Sequence, residues 1–191
     1  MITDNPTYHI LKSAIDKDYI KLIMDNVEKH NIIEPHVFTH YEGILLDYKK
    51  IDPENKINTI LEYAKKYFQE NYSVPGRDIV LSRSYGTIMN VGAGLTPHLD
   101  KYNSGHTHDF SYGDALVCNI YLSEFEGGEL IFPELNEEIK PEIGDVIMFP
   151  GFLLLHGVNT VSKGKRVNFI NHFALLSEED TKNGVLTING N

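Results

Sequence analysis

The chain has 191 residues, 41% of them apolar and 23% charged, which is the balance of a globular protein long enough for one continuous core. Its formal net charge is −10, from 17 Lys plus Arg against 27 Asp plus Glu, and such acidity argues against nucleic acid as a main partner. The single cysteine, Cys118, excludes an intramolecular disulfide and a Cys-rich zinc site, and fits a reducing compartment.

The opening "MITDNPTYHILKSAIDKD" carries acids early and has no apolar core of the secretory type, so a cytoplasmic protein is expected. Tyr19, Ile20, Ile23, Met24 and Val27 recur at helical spacing and predict a helix from Asp16, its N-cap, to Lys29. "EGILLDY" reads as a strand. A second helix is predicted from about Pro53 to Asn71, with Asp52 as cap, Pro53 in its first position, and Ile57, Ile60, Leu61, Ala64 and Phe68 as its apolar face. His9, His30, His36 and His40 fall in this region and suggest no function.

After Pro75-Gly76 the pattern turns to short β-like runs: "DIVLSRSYGTIMNV", "ALVCNIYLS", "GELIFP", "DVIMFP", "LLLHGV" and "RVNFINHFALL". "GAG", "FEGG", "PEIGD", "PG" and "SKGK" read as the breaks between them. The longest apolar stretch, "VIMFPGFLLLHGV", is broken by Pro150 and Gly151 and is too short to span a bilayer, so no membrane partner is expected. Helices followed by many short strands predict an α+β, mainly β fold. The expected form is a double-stranded β-helix, or jelly roll, with the N-terminal helices packed on one sheet. The domain expected is a single one over 1–191, helical to about 76 and jelly roll from about 77 to 176. "KYNSGHTHDFSYG" reads as a polar lid, and the tail from Ser177 as loosely ordered.

Within "TPHLD", His98 and Asp100 stand two apart, and on an extended strand such residues share a face. An imidazole and a carboxylate so placed can bite one metal ion, although the pair alone is a weak signal. His156 closes the apolar run Leu153-Leu154-Leu155; it is a core histidine, or the third ligand if a jelly roll brings this late strand beside the earlier one. Two imidazoles and one carboxylate form the facial set of non-haem iron oxygenases, with positions left open. Arg166 begins the last strand, where Arg166, Asn168, Ile170 and His172 alternate onto one face and Val167 and Phe169 onto the other. Asn119 and Tyr121 share a face of "VCNIYLS", and Cys118, Ile120 and Leu122 share the other, where Cys118 packs. Periodicity leaves open which faces are inside.

In order, His98-x-Asp100, "IYLSEFEGGELIFPE", "KPEIGDVIMFPG", His156 and Arg166 resemble the Fe(II)- and 2-oxoglutarate-dependent dioxygenases. The likeness is strongest to the prolyl 4-hydroxylase-like branch and runs from about Leu81 to Leu175. The resemblance implies Fe(II) held by His98, Asp100 and His156. It also implies 2-oxoglutarate held through its distal carboxylate by Arg166 and Tyr121; alternation along the strand adds Asn168, two beyond Arg166 on the same face, as an assisting residue. The implied reaction consumes O₂ and 2-oxoglutarate, with ascorbate as an accessory, releases succinate and CO₂, and hydroxylates an unactivated C–H bond. A carboxylate at Asp100 favours hydroxylation, since related halogenases carry Ala or Gly there. The branch often has Lys at the position of Arg166, Tyr at that of Asn90 and Trp at that of His172, so the departures gather on the substrate side. Arg83, Tyr85, Asn90, Tyr102 and His172 are the expected substrate contacts. His106 and His108 read as exposed loop residues, and Gly127 and Gly128 only shape a turn. The substrate implied is a peptidyl proline, a free amino acid or another small metabolite; a non-catalytic jelly-roll binding module is the reading from another class. The sequence leaves the oligomeric state open.

Overall fold

The structure is a computed structural model that describes residues 7–30, 33–38, 41–100, 112–177 and 179. Its elements run β1 (His9–Leu11), α1 (Lys17–Lys29), β2 (Ile33–Phe38), β3 (Tyr41–Leu45), α2 (Tyr48–Ile51), α3 (Lys56–Tyr72), β4 (Arg77–Met89), β5 (Leu95–His98), β6 (Tyr112–Tyr121), β7 (Phe125–Gly127), β8 (Leu130–Phe132), β9 (Glu137–Ile139), β10 (Val146–Phe149), β11 (His156–Val158), β12 (Val161–Gly164) and β13 (Arg166–Ser177).

Helix α1 begins where the sequence predicts, because the Asp16 carboxylate accepts from the Tyr19 amide at 2.8 Å. Its Tyr19, Ile20, Ile23 and Val27 are buried. Helix α3 starts three residues later than predicted. Pro53 and Glu54 form a turn, and Asn55 takes a left-handed φ of 60° that breaks the helix before Lys56. Asp52 still serves the helix end across that turn. Its carboxylate accepts from the amides of Lys56 (3.0 Å) and Ile57 (2.8 Å) and from the Tyr19 hydroxyl (2.5 Å), tying α3 to α1.

The six predicted β runs are all strands. "FEGG" and "SKGK", which read as breaks, instead supply β7 and β12, paired with each other as a two-stranded sheet. Their Gly and charged residues hide the pairing. Gly127 has a φ of 68°, and a side chain there would overlap the Thr160 carbonyl across the pair.

Seven strands form one sheet in the order β1-β10-β6-β13-β4-β3-β2, and four form a second in the order β5-β11-β8-β9. The larger sheet is covered on one side by α1 and α3, whose apolar residues pack with Ile79, Cys118, Ile120, Val167, Phe169 and Phe173. Its other side faces the smaller sheet across Val117, Tyr121, Leu130, Phe132, Ile147 and Phe149. This is the expected jelly roll with helices on one sheet. Phe68 and Phe173 meet at 5.4 Å across the helix–sheet layer, and truncating such a ring to Ala costs about 3–5 kcal/mol.

A bulge in β4 sets the inner face. His172 pairs with Arg83 but Phe173 pairs with Leu81, so Ser82 is the extra residue, and its hydroxyl donates to the His172 carbonyl at 2.9 Å. Ile79 and Leu81 thereby pack toward the helices, while Arg83, Tyr85, Thr87 and Met89 line the space between the sheets. No helix among the described residues is long and apolar enough to cross a membrane.

Candidate active site

Between the two sheets lies a cavity of about 340 Å³. The alternation seen in β13 and β6 resolves in favour of a polar interior: Arg166, Asn168, Ile170, His172 and Asn119 line it. Val167, Phe169, Cys118 and Ile120 turn to the helices. Burial without a charged neighbour pushes the Cys118 thiol up to about 12, in keeping with a packing role.

Strand β11 pairs antiparallel with β5, and His156 stands opposite His98 in that register. This is the neighbour relation that a third ligand needs. Asp100 falls just beyond the end of β5, where its amide donates to the Gly151 carbonyl at 2.9 Å, in the turn after β10. Among the described residues His98, Asp100 and His156 are the metal-capable cluster, with ligand atoms all within 4.8 Å of one another. His98 Nε2 is 3.5 Å from Asp100 Oδ1, and His156 Nε2 is 3.6 Å from Asp100 Oδ2. Cis ligands around an octahedral ion at ~2.1 Å stand about 3 Å apart, so a modest inward movement closes the set on a metal.

Three features fit these residues to a cation. Asp100 Oδ2 is buried without a hydrogen-bond partner among the described residues. His98 Nδ1 faces the Thr96 carbonyl at 3.0 Å, and His156 Nδ1 faces the Leu154 carbonyl at 2.9 Å. A carbonyl only accepts, so each ring carries its proton on Nδ1 and turns a lone pair on Nε2 inward. Phe149 packs edge-on against His156 at 4.7 Å and fixes the plane of that ring.

The electrostatics favour the ligand forms of His156 and Asp100, while at His98 a metal has a proton to displace. Hydrogen bonding to Asp100 raises the pKa of His98, whereas burial lowers that of His156. Burial works against the charge of Asp100, but His98 and the surrounding imidazoles outweigh it and hold the carboxyl below its usual value.

Arg166 forms the other pole of the cavity and is 2% exposed. Its Nε donates to the Gly128 carbonyl (3.1 Å), one Nη to Asn168 Oδ1 (2.8 Å) and the other to the Tyr121 hydroxyl (3.1 Å). The Thr87 hydroxyl donates to the same Asn168 oxygen at 2.7 Å, and Asn168 Nδ2 donates to Asn119 at 3.3 Å. Among the described residues no carboxylate pairs with this guanidinium. Burial raises the Tyr121 pKa, against the pull of the Arg166 charge, so the phenol stays protonated.

Gly128 thus does more than shape a turn, because its carbonyl orients Arg166. Thr87, Met89 and Gly151 also belong to the site without having been singled out. Alternation from Tyr85 along β4 could have flagged Thr87 and Met89, but Gly151 leaves no side-chain signal. Of the substrate-contact candidates, Arg83, Tyr85 and His172 line the cavity. Asn90 does not join them; it is exposed at the end of β4 and donates to Glu42 at 3.2 Å. Tyr102, His106 and His108, with most of the expected lid, lie outside the described residues, as does almost all of the tail after Ser177.

Residues 84–174 match the family model of the 2OG-Fe(II) oxygenase superfamily. No curated protein matches the chain significantly by sequence. Among solved structures, the viral collagen prolyl hydroxylase of Paramecium Bursaria Chlorella virus-1, in its 2OG complex, superposes with a TM-score of 0.71 at 16% identity, over 92% of this chain and 100% of that one. The Pseudomonas putida prolyl-4-hydroxylase gives 0.68 at 13% identity, over 89% and 93%. A Trichoplax adhaerens prolyl hydroxylase, in complex with a hypoxia inducible factor peptide fragment, gives 0.66 at 12% identity, over 92% and 86%.

Proposed function

We propose, from the match of residues 84–174 to the 2OG-Fe(II) oxygenase superfamily, that the chain is a 2-oxoglutarate-dependent hydroxylase of an unactivated C–H bond. In this reading His98, Asp100 and His156 hold Fe(II), and Arg166 holds the distal carboxylate of 2-oxoglutarate. When bound, the metal with 2-oxoglutarate and O₂ supplies the oxidation, releasing succinate and CO₂. The chain itself contributes position and dryness. The Thr96 and Leu154 carbonyls aim the two imidazoles, and Gly128, Asn168 and Tyr121 fix the plane of the guanidinium so that a carboxylate meets it with little reorganisation. Val117, Leu130, Phe149 and Val158 supply apolar wall to the cavity. One domain over 1–191 accords with a core cluster that joins Ile15 of the helical part to Leu175 of the last strand.

The observation that carries the reading is Arg166, a buried cation on the triad's cavity with no acidic partner among the described residues. The testing experiment is an anaerobic titration of the Fe(II)-loaded protein with 2-oxoglutarate. A saturable metal-to-ligand charge-transfer band in the visible is expected, with Arg166→Ala weakening its half-saturation about 10- to 100-fold, the worth of a charge-assisted bidentate pair. Absence of the band with iron bound would remove the cosubstrate assignment and favour a non-catalytic binding module.

The prolyl hydroxylases of like fold suggest a peptidyl proline as one substrate class, and a free amino acid or small metabolite is the other. Arg83, Tyr85 and His172 form the substrate wall in either case.

A further inference from the structure

The cavity has a second polar wall, built from β4 and β13. His172 lies close enough to the triad to bear electrostatically on Asp100 and His156. Tyr85 stacks on His172, with ring centroids 5.7 Å apart and planes 10° from parallel. Arg83 in turn lies over the Tyr85 ring, its guanidinium carbon 5.1 Å from the centroid. The three groups make a row that leads from the metal side to an exposed cation at the mouth.

The fold goes out of its way to put Arg83 there. Without the bulge at Ser82, Arg83 would share the face of Leu81, against the helices. The ring face holds the guanidinium in place, and a guanidinium carries the N–H fork that matches a carboxylate. Arg83 has contacts of its own, and five N–H donors let it hold a further acceptor.

Charge points the same way. Among the described residues that line the cavity, Asp100 is the one carboxylate, against Arg83 and Arg166. On the hydroxylase reading the charges of Fe(II), Asp100, 2-oxoglutarate and Arg166 cancel. Arg83 adds one more cation to that lining, beside the contacts it already makes. The volume of about 340 Å³, shared with metal and cosubstrate, is at the small end for ligand sites.

We infer that the prime substrate is a small molecule bearing a carboxylate. Its anion sits on Arg83 and its apolar part lies against Tyr85, His172 and Ile170, which turns a nearby C–H toward the metal. The inference rests on the hydroxylase reading and narrows its substrate class away from a neutral peptidyl proline.

The test measures succinate release by the full chain loaded with Fe(II) and 2-oxoglutarate. The probes are free L-amino acids, simple aliphatic carboxylic acids, the matching amides, and a blocked proline-containing peptide. At least one acid is expected to raise succinate release where its amide does not. Arg83→Gln should raise KM for that acid at least about tenfold, and Arg83→Lys should recover part of the loss. The 2-oxoglutarate charge-transfer band should stay unchanged in both variants. With the band intact, failure of every carboxylate to stimulate release overturns this inference alone. So does an amide or the blocked peptide acting equally in wild type and Arg83→Gln. A missing band overturns the hydroxylase reading and this inference with it.

Discussion

At Gly151 a missing side chain is what admits the Asp100 carboxylate. A Cβ there would overlap the Asp100 carboxylate, standing 3.0 Å from its Cγ and 2.8 Å from a Val117 methyl, while the Gly151 carbonyl already anchors the Asp100 amide. Gly151→Ala must therefore move Asp100 or the turn that carries it. The expected result is a 10- to 100-fold loss of Mn(II) affinity, the usual order for disturbing a residue that orients a ligand. Electron paramagnetic resonance of free Mn(II) reads this without turnover. Unchanged affinity would mean that the carboxylate shifts aside at no cost. The contrast with His98, Asp100, His156 and Arg166 shows what a sequence reveals at this scale. Those four announce themselves by side-chain chemistry at fixed spacing. Gly151 and Gly128 act through an absent Cβ and a backbone carbonyl, which carry no letter code of their own.

Alternation along single strands was sound evidence, since the two faces of β13 and β6 are those that the pattern implies. It carries no signal where strands are short and polar, as in β7 and β12, and does not show a bulge that shifts parity, as at Ser82, because neighbours distant in the chain decide both. The turn before β10 shows how such an element is held. Asp145 is a buried carboxylate that accepts from Lys12 Nζ at 2.7 Å and from the amides of Glu142 (2.9 Å) and Ser13 (3.1 Å), and its own carbonyl receives the Tyr121 amide. Burial disfavours its charge, but Lys12 and the two amides outweigh that and hold its pKa below the ordinary 3.8. A depressed folded-state value means the stabilisation is fully present above 3.8 and is lost as pH falls through the folded-state value. Asp145→Asn should cost about 2 kcal/mol at pH 7, the worth of charge-assisted bonds at a buried acceptor. As pH falls below the ordinary 3.8 toward the folded-state value, the gap between the two proteins should shrink. Urea denaturation of the metal-free proteins at pH 7 and at about pH 3 checks both, and a gap that stayed constant or widened in acid would mean that the Asp145 charge is not what holds the turn.

Across the whole molecule the candidate ligands are divided between the sheets. His98 and His156 come from β5 and β11 of the smaller sheet, with Asp100 just after β5, whereas Arg166 comes from β13 of the larger one. A metal ion would therefore tie together segments of one sheet, and 2-oxoglutarate, spanning metal and guanidinium, would fasten one sheet to the other. Binding to the folded state alone adds about 2.7 kcal/mol at a ligand concentration a hundred times its Kd, and each kcal/mol raises Tm by about 2–4 °C in a chain of this size. Mn(II) alone should then raise Tm by about 5–10 °C, and 2-oxoglutarate should add a second increment that depends on the metal. Arg166→Ala should keep the first increment and lose most of the second, and thermal melts followed by circular dichroism separate the two. Equal 2-oxoglutarate increments in wild type and Arg166→Ala would show that the cosubstrate binds elsewhere. An increment without metal would show that it does not depend on the triad. The two-step pattern is the one that follows from a facial metal set on one sheet and a buried guanidinium facing it from the other.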